Sequence, residues 1–132
     1  MTLFIPCRRA TLHIPETGPP DDPSRGHLHI ILTDISKDKT NLVVPICSHY
    51  DKCDQTCVLD SGHKFIKHKS FVLYAKADVV SSDILHRAVK EGIISFEGLF
   101  GEKEFETVCA GVTRSRHIRP AIKIYYNQIL AK

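Results

Sequence analysis

The sequence predicts an α+β domain: a small, strongly bent and mostly antiparallel β-barrel, followed by a short helix and C-terminal helical segments. Two observations predict this fold. Up to about residue 80, short apolar or alternating stretches follow one another with polar turns between them. Beyond that point the apolar residues recur at helical spacing. Strands in one block and helices in the next indicate α+β, because α/β folds alternate the two.

Composition and charge limit the classes of protein that remain. With 132 residues, 42% of them hydrophobic and 25% charged, the chain is predicted to form one globular domain over residues 1–132. It has no apolar stretch near the roughly 18 residues that span a bilayer and no signal peptide, so we expect a cytoplasmic protein without a membrane partner. Five cysteines, an odd number, indicate free thiols. Eight histidines can add to the net charge of +3 between about pH 5 and 8.

Polar segments separate the first three predicted strands. Ala10–Ile14 alternates as a strand does, and Glu16–Gly26 is a loop rich in proline, glycine and aspartate. His27–Leu32 and Asn41–Ile46 are nearly continuous apolar stretches, which are typical of buried strands. Because proline cannot donate to a strand ladder, Pro45 predicts that its strand lies at a sheet edge or beside a bulge.

Shorter strands and then helices are predicted in the second half of the chain. The strands are Thr56–Leu59, Ser70–Lys76 and Val79–Val80. Ser81 or Ser82 caps a helix that runs to Lys90, and Gly92 then stops it. Two later stretches carry apolar residues at helical spacing: Glu102–Ser115 and the segment that begins at Pro120.

The segment from residue 47 to residue 68 is rich in cysteine and histidine, which raises the alternative of a structural zinc site. The candidate ligands are Cys47, His49, Cys53, Cys57, His63 and His68. No pair of them shows the Cys-x2-Cys spacing of a zinc knuckle. In the other interpretation, Cys47 and Cys57 are small buried hydrophobes and the histidines lie at the surface. We therefore predict no metal and no other cofactor.

The same polar residues are those that phosphodiester cleavage without a metal requires. A base must take the 2′-hydroxyl proton, an acid must protonate the leaving oxygen, and a cation must balance the developing charge. Arg25 and His27 begin one apolar strand, and Ser48 and His49 follow the next. If these two strands pair antiparallel, the four side chains fall at the same end of the sheet. A third polar group precedes a later strand: His63, Lys64, Lys67, His68 and Ser70.

Structural roles remain open for several of these residues. His27 and His29 share one strand face and would cap its polar end. Lys67 and its neighbours fit a solvated face or the protection of an edge strand. Arg114 and Arg116 either complement a helix dipole or contact phosphate. Two further histidines are predicted to be structural only: His13 and His86.

Over roughly residues 8–112 the order of these segments resembles that of the PemK/MazF-like proteins. In that family one strand ends in an Asn-Asp-like pair, a second ends in Pro-x-Thr-Ser, and a later strand leads into a helix capped by Ser and Asp. The stretches that carry the resemblance are His27–Asp34 (HLHIILTD), Asn41–Ser48 (NLVVPICS), Lys69–Ala77 (KSFVLYAKA) and Val79–Ile84 (VVSSDI).

The resemblance implies an SH3-like barrel, a homodimer, and a sequence-specific endoribonuclease toxin that an antitoxin protein neutralises. The family's cleavage site pairs an arginine at the start of one strand with the threonine of Pro-x-Thr. Here Gly26 stands at the arginine position, between Arg25 and His27, and Cys47 stands at the threonine position, before Ser48. Either Arg25 or His27 substitutes in a shifted register, or the chain has lost the activity.

The function that we predict is metal-independent cleavage of single-stranded RNA. Arg25 would stabilise transition-state charge, His27 or His68 would transfer protons, and Ser48 would orient the phosphate together with His49. The residues expected to bind RNA are His49, His63, Lys64, Lys67, Ser70, Arg114 and Arg116. The alternative is a non-catalytic barrel that binds RNA or a protein, with or without structural zinc.

Overall fold

The computed structural model of the protein describes residues 4–15 and 26–131. These ranges contain seven strands: β1 (Ala10–Ile14), β2 (His27–Ile31), β3 (Thr40–Ser48), β4 (Val58–Leu59), β5 (Ser70–Val72), β6 (Asp78–Ser81) and β7 (Ser95–Leu99). The same ranges contain three α-helices: α1 (Ser82–Lys90), α2 (Glu102–Arg114) and α3 (Pro120–Leu130). Within the described ranges, no helix has the length and apolar character needed to cross a membrane.

The seven strands form one antiparallel sheet in the order β4-β5-β3-β2-β1-β7, and β6 lies beside the first half of β3. The predicted α+β class and the antiparallel pairing are confirmed. The predicted closure into a barrel is not found among the described strands, since β4 and β7, at the two ends of this order, do not pair. Helices α2 and α3 cover one apolar face of the sheet instead, so burial of that face does not require closure.

Strand β3 is central, and its pairing with β2 continues through Pro45 without a register shift, so neither the edge position nor the bulge predicted at Pro45 is found. It pairs with β2 on one side, and with β6 and then β5 on the other. The carbonyl of Pro45 accepts a hydrogen bond from the amide of Leu73 at 3.0 Å. In an antiparallel strand, the N–H and C=O of one residue point to the same neighbouring strand. The N–H that Pro45 lacks would therefore point to the side of β3 where the pairing with β6 ends and the pairing with β5 begins. A proline therefore fits a central strand at this point.

Two apolar cores lie on opposite faces of the sheet. On one face, Leu28, Ile30 and Val44 pack with residues of α2 and α3. On the other face, Leu12 and Ile31 pack with Leu85 of α1, together with others of the smaller core. Because β3 is covered on both faces, its residues from Asn41 to Ile46 are all buried, which explains the continuous apolar sequence.

The helices begin and end close to the predicted residues. Ser81 is the N-cap of α1, and its Oγ accepts from the amide of Ile84 at 3.3 Å. The strand predicted at Ser70–Lys76 is shorter, since it ends at Val72 and a 3-10 turn follows. Strand β7 was not predicted, because its Phe96 and Leu99 are exposed and Gly98, at φ 87°, interrupts any alternation.

Candidate functional site

A pocket of about 180 Å³ opens at the end of the sheet where β1 and β3 finish and β2 and β5 begin. Its polar lining consists of His13, His27, Cys47, Ser48, His68 and Ser70. Its apolar lining consists of Leu28, Ile46, Phe65 and Ile66. The segment between β4 and β5 therefore supplies one wall, and the strand ends supply the rest.

Strand register explains why His13, Ser48 and Ser70 meet at the pocket. His13 lies opposite Leu28, Leu28 lies opposite Ile46, and Ser48 lies opposite Ser70. Opposite residues of antiparallel strands point to the same face of a sheet. The prediction that the start of β2 and the end of β3 fall at one sheet end is confirmed. Strand β5 brings the histidine-rich segment to that same end.

Ser48 and His68 form a hydrogen-bonded pair at the rim of the pocket. The distance from Ser48 Oγ to His68 Nε2 is 2.8 Å, and both side chains are exposed. The buried Ser70 hydroxyl donates to the carbonyl of His68 at 3.0 Å, and the His49 amide donates to the carbonyl of Lys69 at 3.1 Å. These bonds fix the backbone around His68, so its imidazole is held next to a hydroxyl in an accessible position.

His27 and His29 differ in environment although they lie on the same strand face. His27 lines the pocket, whereas His29 does not, and Nδ1 of His29 lies 3.0 Å from the carbonyl of His27. Burial lowers the pKa of His29 to about 4, and the charges of His27 and His13 act in the same direction, against the hydrogen bond to the His27 carbonyl. His29 is therefore neutral at pH 7 and is not a proton donor there.

His13, predicted to be structural, lines the same pocket as His68 and Ser48. It lies near the end of β1, one residue before Ile14. The sequence could have indicated this position. Antiparallel pairing brings the start of β2 and the end of β3 together, and it brings the end of β1 to the same place if β1 pairs with β2. The order of the strands, in which β1 follows β2, was the missing information.

His63 does not line the pocket, and both of its ring nitrogens have protein partners. Nε2 lies 2.8 Å from the carbonyl of Glu97, and Nδ1 accepts from the amide of Phe65 at 3.1 Å. The ring also stacks on Phe100 at a centroid distance of 6.3 Å. These contacts give His63 a structural role in the segment before β5, and its predicted contact with RNA stays a prediction.

The other described residues that were predicted to contact RNA do not line the pocket. His49 Nε2 is 3.1 Å from Gln55 Oε1, and Arg114 donates to the carbonyl of Thr56 at 3.4 Å. Arg116 and Lys67 are exposed. Two predicted residues complete the set: Lys64, whose Nζ lies 5.5 Å from the ring centroid of Phe65, and Arg25, which lies outside the described residues.

The loop after β3 is anchored by a buried carboxylate. Asp54 accepts from the amide of Thr56 at 2.9 Å, from its hydroxyl at 2.5 Å, and from the hydroxyl of Ser115 at 2.9 Å. Burial alone would raise the pKa of Asp54, but these hydrogen bonds and the charge of His117 outweigh it, and the pKa lies below its usual value. Asp54 thus ties the loop to the end of α2.

Residues 4–15 and 26–131 contain no set of donors for the structural zinc that the sequence left as an alternative. No three His, Cys, Asp or Glu side chains there are grouped as metal ligands. Cys53 and Cys57 are buried, as the other interpretation expected for Cys57, whereas Cys47, also expected to be buried, is only half-buried. Burial raises the pKa of the Cys57 thiol to about 11, partly offset by a hydrogen bond with Tyr74, so Cys57 is not a thiolate at neutral pH.

The fold and the pocket together define an α+β domain with a cluster of histidines at one end of an antiparallel sheet. The sequence matches no protein-family model and no curated protein. The resemblance to PemK/MazF-like proteins therefore stays a prediction.

Proposed function

We propose that the protein is a metal-independent endoribonuclease that cleaves single-stranded RNA at this pocket. The observation that supports the proposal most strongly is that three imidazoles line one pocket together with Ser48: His13, His27 and His68. Ser48 Oγ lies 2.8 Å from His68 Nε2, so one imidazole is already oriented. Two imidazoles on one phosphodiester provide both proton transfers of the reaction near neutral pH.

The reaction is an attack of the RNA on its own backbone. A neutral imidazole takes the 2′-hydroxyl proton, and O2′ forms a bond to phosphorus. The bond from phosphorus to the 5′-oxygen breaks, and a protonated imidazole gives that oxygen its proton. The products are a 2′,3′-cyclic phosphate and a 5′-hydroxyl, and one proton has moved from one histidine to the other. We assign His68 as one of these two groups.

Charge and stacking groups beside the pocket fit an RNA substrate. Phe65 lines the pocket, is 42% exposed, and has Lys64 over its ring. Exposed aromatic rings flanked by lysines bind unpaired bases by stacking and bind the backbone by charge. The homodimer and the antitoxin partner implied by the resemblance belong to the same proposal.

A second candidate is an RNA-binding module without catalysis. Phe65, Lys64 and Lys67 favour it, because stacking and charge are sufficient for binding single strands. Such a protein would bind RNA and the matching 2′-deoxy strand with similar affinity and would cleave neither.

Cleavage of a random-sequence RNA pool in the presence of EDTA tests the proposal. We expect cleavage of RNA, with 2′,3′-cyclic phosphate ends, and no cleavage of the 2′-deoxy pool. Protein purified identically but carrying His68→Ala controls for a contaminating ribonuclease. Equal cleavage of both pools, or binding of RNA without cleavage, would contradict the proposal.

A further inference from the structure

We infer that His13 is the second proton-transferring group of the pocket, the general acid, and that Gly26 is the residue that admits its ring. This inference rests on the proposed function and gives a catalytic role to a residue that the sequence predicted to be structural only. It concerns β1, the strand of the pocket farthest from β5 in the order of the sheet.

Sheet geometry favours His13 over His27 as the partner of His68. His13 is opposite Leu28, which is opposite Ile46, and Ser48 is two residues beyond Ile46. Since side chains alternate along a strand, His13 and Ser48 face the same side of the sheet, whereas His27 faces the other side. The imidazole on the face of the Ser48–His68 pair is thus that of His13.

The strand order also gives a suitable separation. His13 is on β1, and His68 lies two residues before the start of β5, with β2 and β3 between the two strands. Three steps of about 4.8 Å between neighbouring strands separate the two backbones by about 14 Å. Backbones this far apart leave room between them for two imidazoles and a phosphodiester, as an in-line displacement with a base and an acid on opposite sides requires.

Gly26 makes the position of His13 possible. A Cβ at residue 26 would overlap the His13 imidazole and would lie 2.8 Å from the carbonyl oxygen of Ile14. The His13 ring therefore lies directly against the Gly26 backbone, in the space that any other residue would fill. The position of the His13 ring in the pocket therefore depends on glycine at residue 26.

The acid and base are assigned through the hydrogen bond at His68. Either group can donate in this hydrogen bond, depending on the tautomer of His68. In the proposed assignment the Ser48 hydroxyl donates, so Nε2 of His68 carries a lone pair and is the base, which leaves the acid role to His13. In the reaction, His68 takes the proton from O2′, and His13 gives a proton to the departing 5′-oxygen. The base must be neutral and the acid protonated, so His68 sets the acidic limb of the pH–rate profile and His13 sets the alkaline limb.

Single-turnover cleavage by His13→Ala, with His117→Ala as a matched control on an exposed histidine outside the pocket, tests the role of His13. We expect a loss of at least 100-fold for His13→Ala, with the alkaline limb gone and the acidic limb retained. An RNA with a bridging 5′-sulfur has a leaving group that needs no acid, so His13→Ala should cleave it at near the wild-type rate, while His68→Ala should not.

The outcomes separate this inference from the proposed function. If the wild-type protein cleaves RNA and His13→Ala keeps its rate and both limbs, the role of His13 is overturned and the proposed function stands. If the wild-type protein cleaves no RNA, both fall. His13→Gln provides a second variant in case the alanine variant does not fold.

The packing of Gly26 against His13 has its own test, which needs no activity. Gly26→Ala should lower the urea midpoint of unfolding more in the wild-type background than in the His13→Ala background, because removal of the ring relieves one of the two overlaps. Equal shifts in both backgrounds would overturn the role given to Gly26.

Discussion

His68→Ala lowers the rate of RNA cleavage by about 10²–10⁴-fold in our account, the range that is typical for loss of a general base. The side chain is exposed, and its ring contacts Ser48 at 2.8 Å. Exposed substitutions outside the core usually change the free energy of unfolding by less than about 0.5 kcal/mol. The activity should therefore be lost while the fold is kept, and single-turnover kinetics together with urea unfolding measures both quantities.

Ser48→Ala provides a graded comparison for the same site. It removes one hydrogen bond to His68 and leaves the imidazole in place. Since a hydrogen bond contributes about 1 kcal/mol, we expect a loss of roughly tenfold or less, far smaller than that of His68→Ala. A His68→Ala variant whose rate stays within threefold of the wild type would remove His68 from the mechanism.

Gly111→Ala should destabilise the protein by about 3 kcal/mol, the upper end of the usual cost of overpacking a core. Tyr74 is fully buried, and its hydroxyl donates to the carbonyl of Val108 at 2.7 Å. A Cβ on Gly111 would overlap this hydroxyl and the ring carbon that bears it. The ring is held by the core and the glycine by its helix, so neither moves aside without loss of packing.

The sign of the change in the free energy of unfolding separates overpacking from helix propensity, because helix propensity alone predicts that Gly111→Ala is stabilising. In a helix interior, alanine is more stable than glycine by about 1 kcal/mol. Urea unfolding of Gly111→Ala measures the net change, and Tyr74→Phe/Gly111→Ala is the control, since removal of the hydroxyl should recover part of the loss. A stabilised Gly111→Ala variant would show that Tyr74 does not pack against α2 in this way.

The helices could be predicted from the sequence because their signals are local. Ser81 as an N-cap, Pro120 in the first turn of α3, and the apolar spacing of Phe105 and Val108 each act within a few residues. What these apolar faces would cover is a long-range property. The sequence therefore predicted an amphipathic α2 without predicting that it covers an open sheet, and the expected closed barrel followed from the strands alone.

Only the part of the candidate site that follows from antiparallel pairing of β2 with β3 could be predicted from the sequence. That pairing placed the start of β2 beside Ser48. It did not place His13, because β1 and β2 are far apart in sequence and their register has no local signal. It also gave no sign that Nε2 of His63 lies 2.8 Å from the carbonyl of Glu97, because Glu97 is on β7, a strand whose sequence carries no clear pattern.

The central claim is that one pocket at the sheet end binds a phosphodiester between histidines, and ring resonances of isotope-labelled histidine test it most directly. Addition of a single-stranded 2′-O-methyl RNA, which cannot be cleaved by attack of O2′, should shift the resonances of His13, His27 and His68 together and leave those of His86 and His117 unchanged. Shifts confined to His86 or His117, or none at any histidine at saturating RNA, would contradict the account.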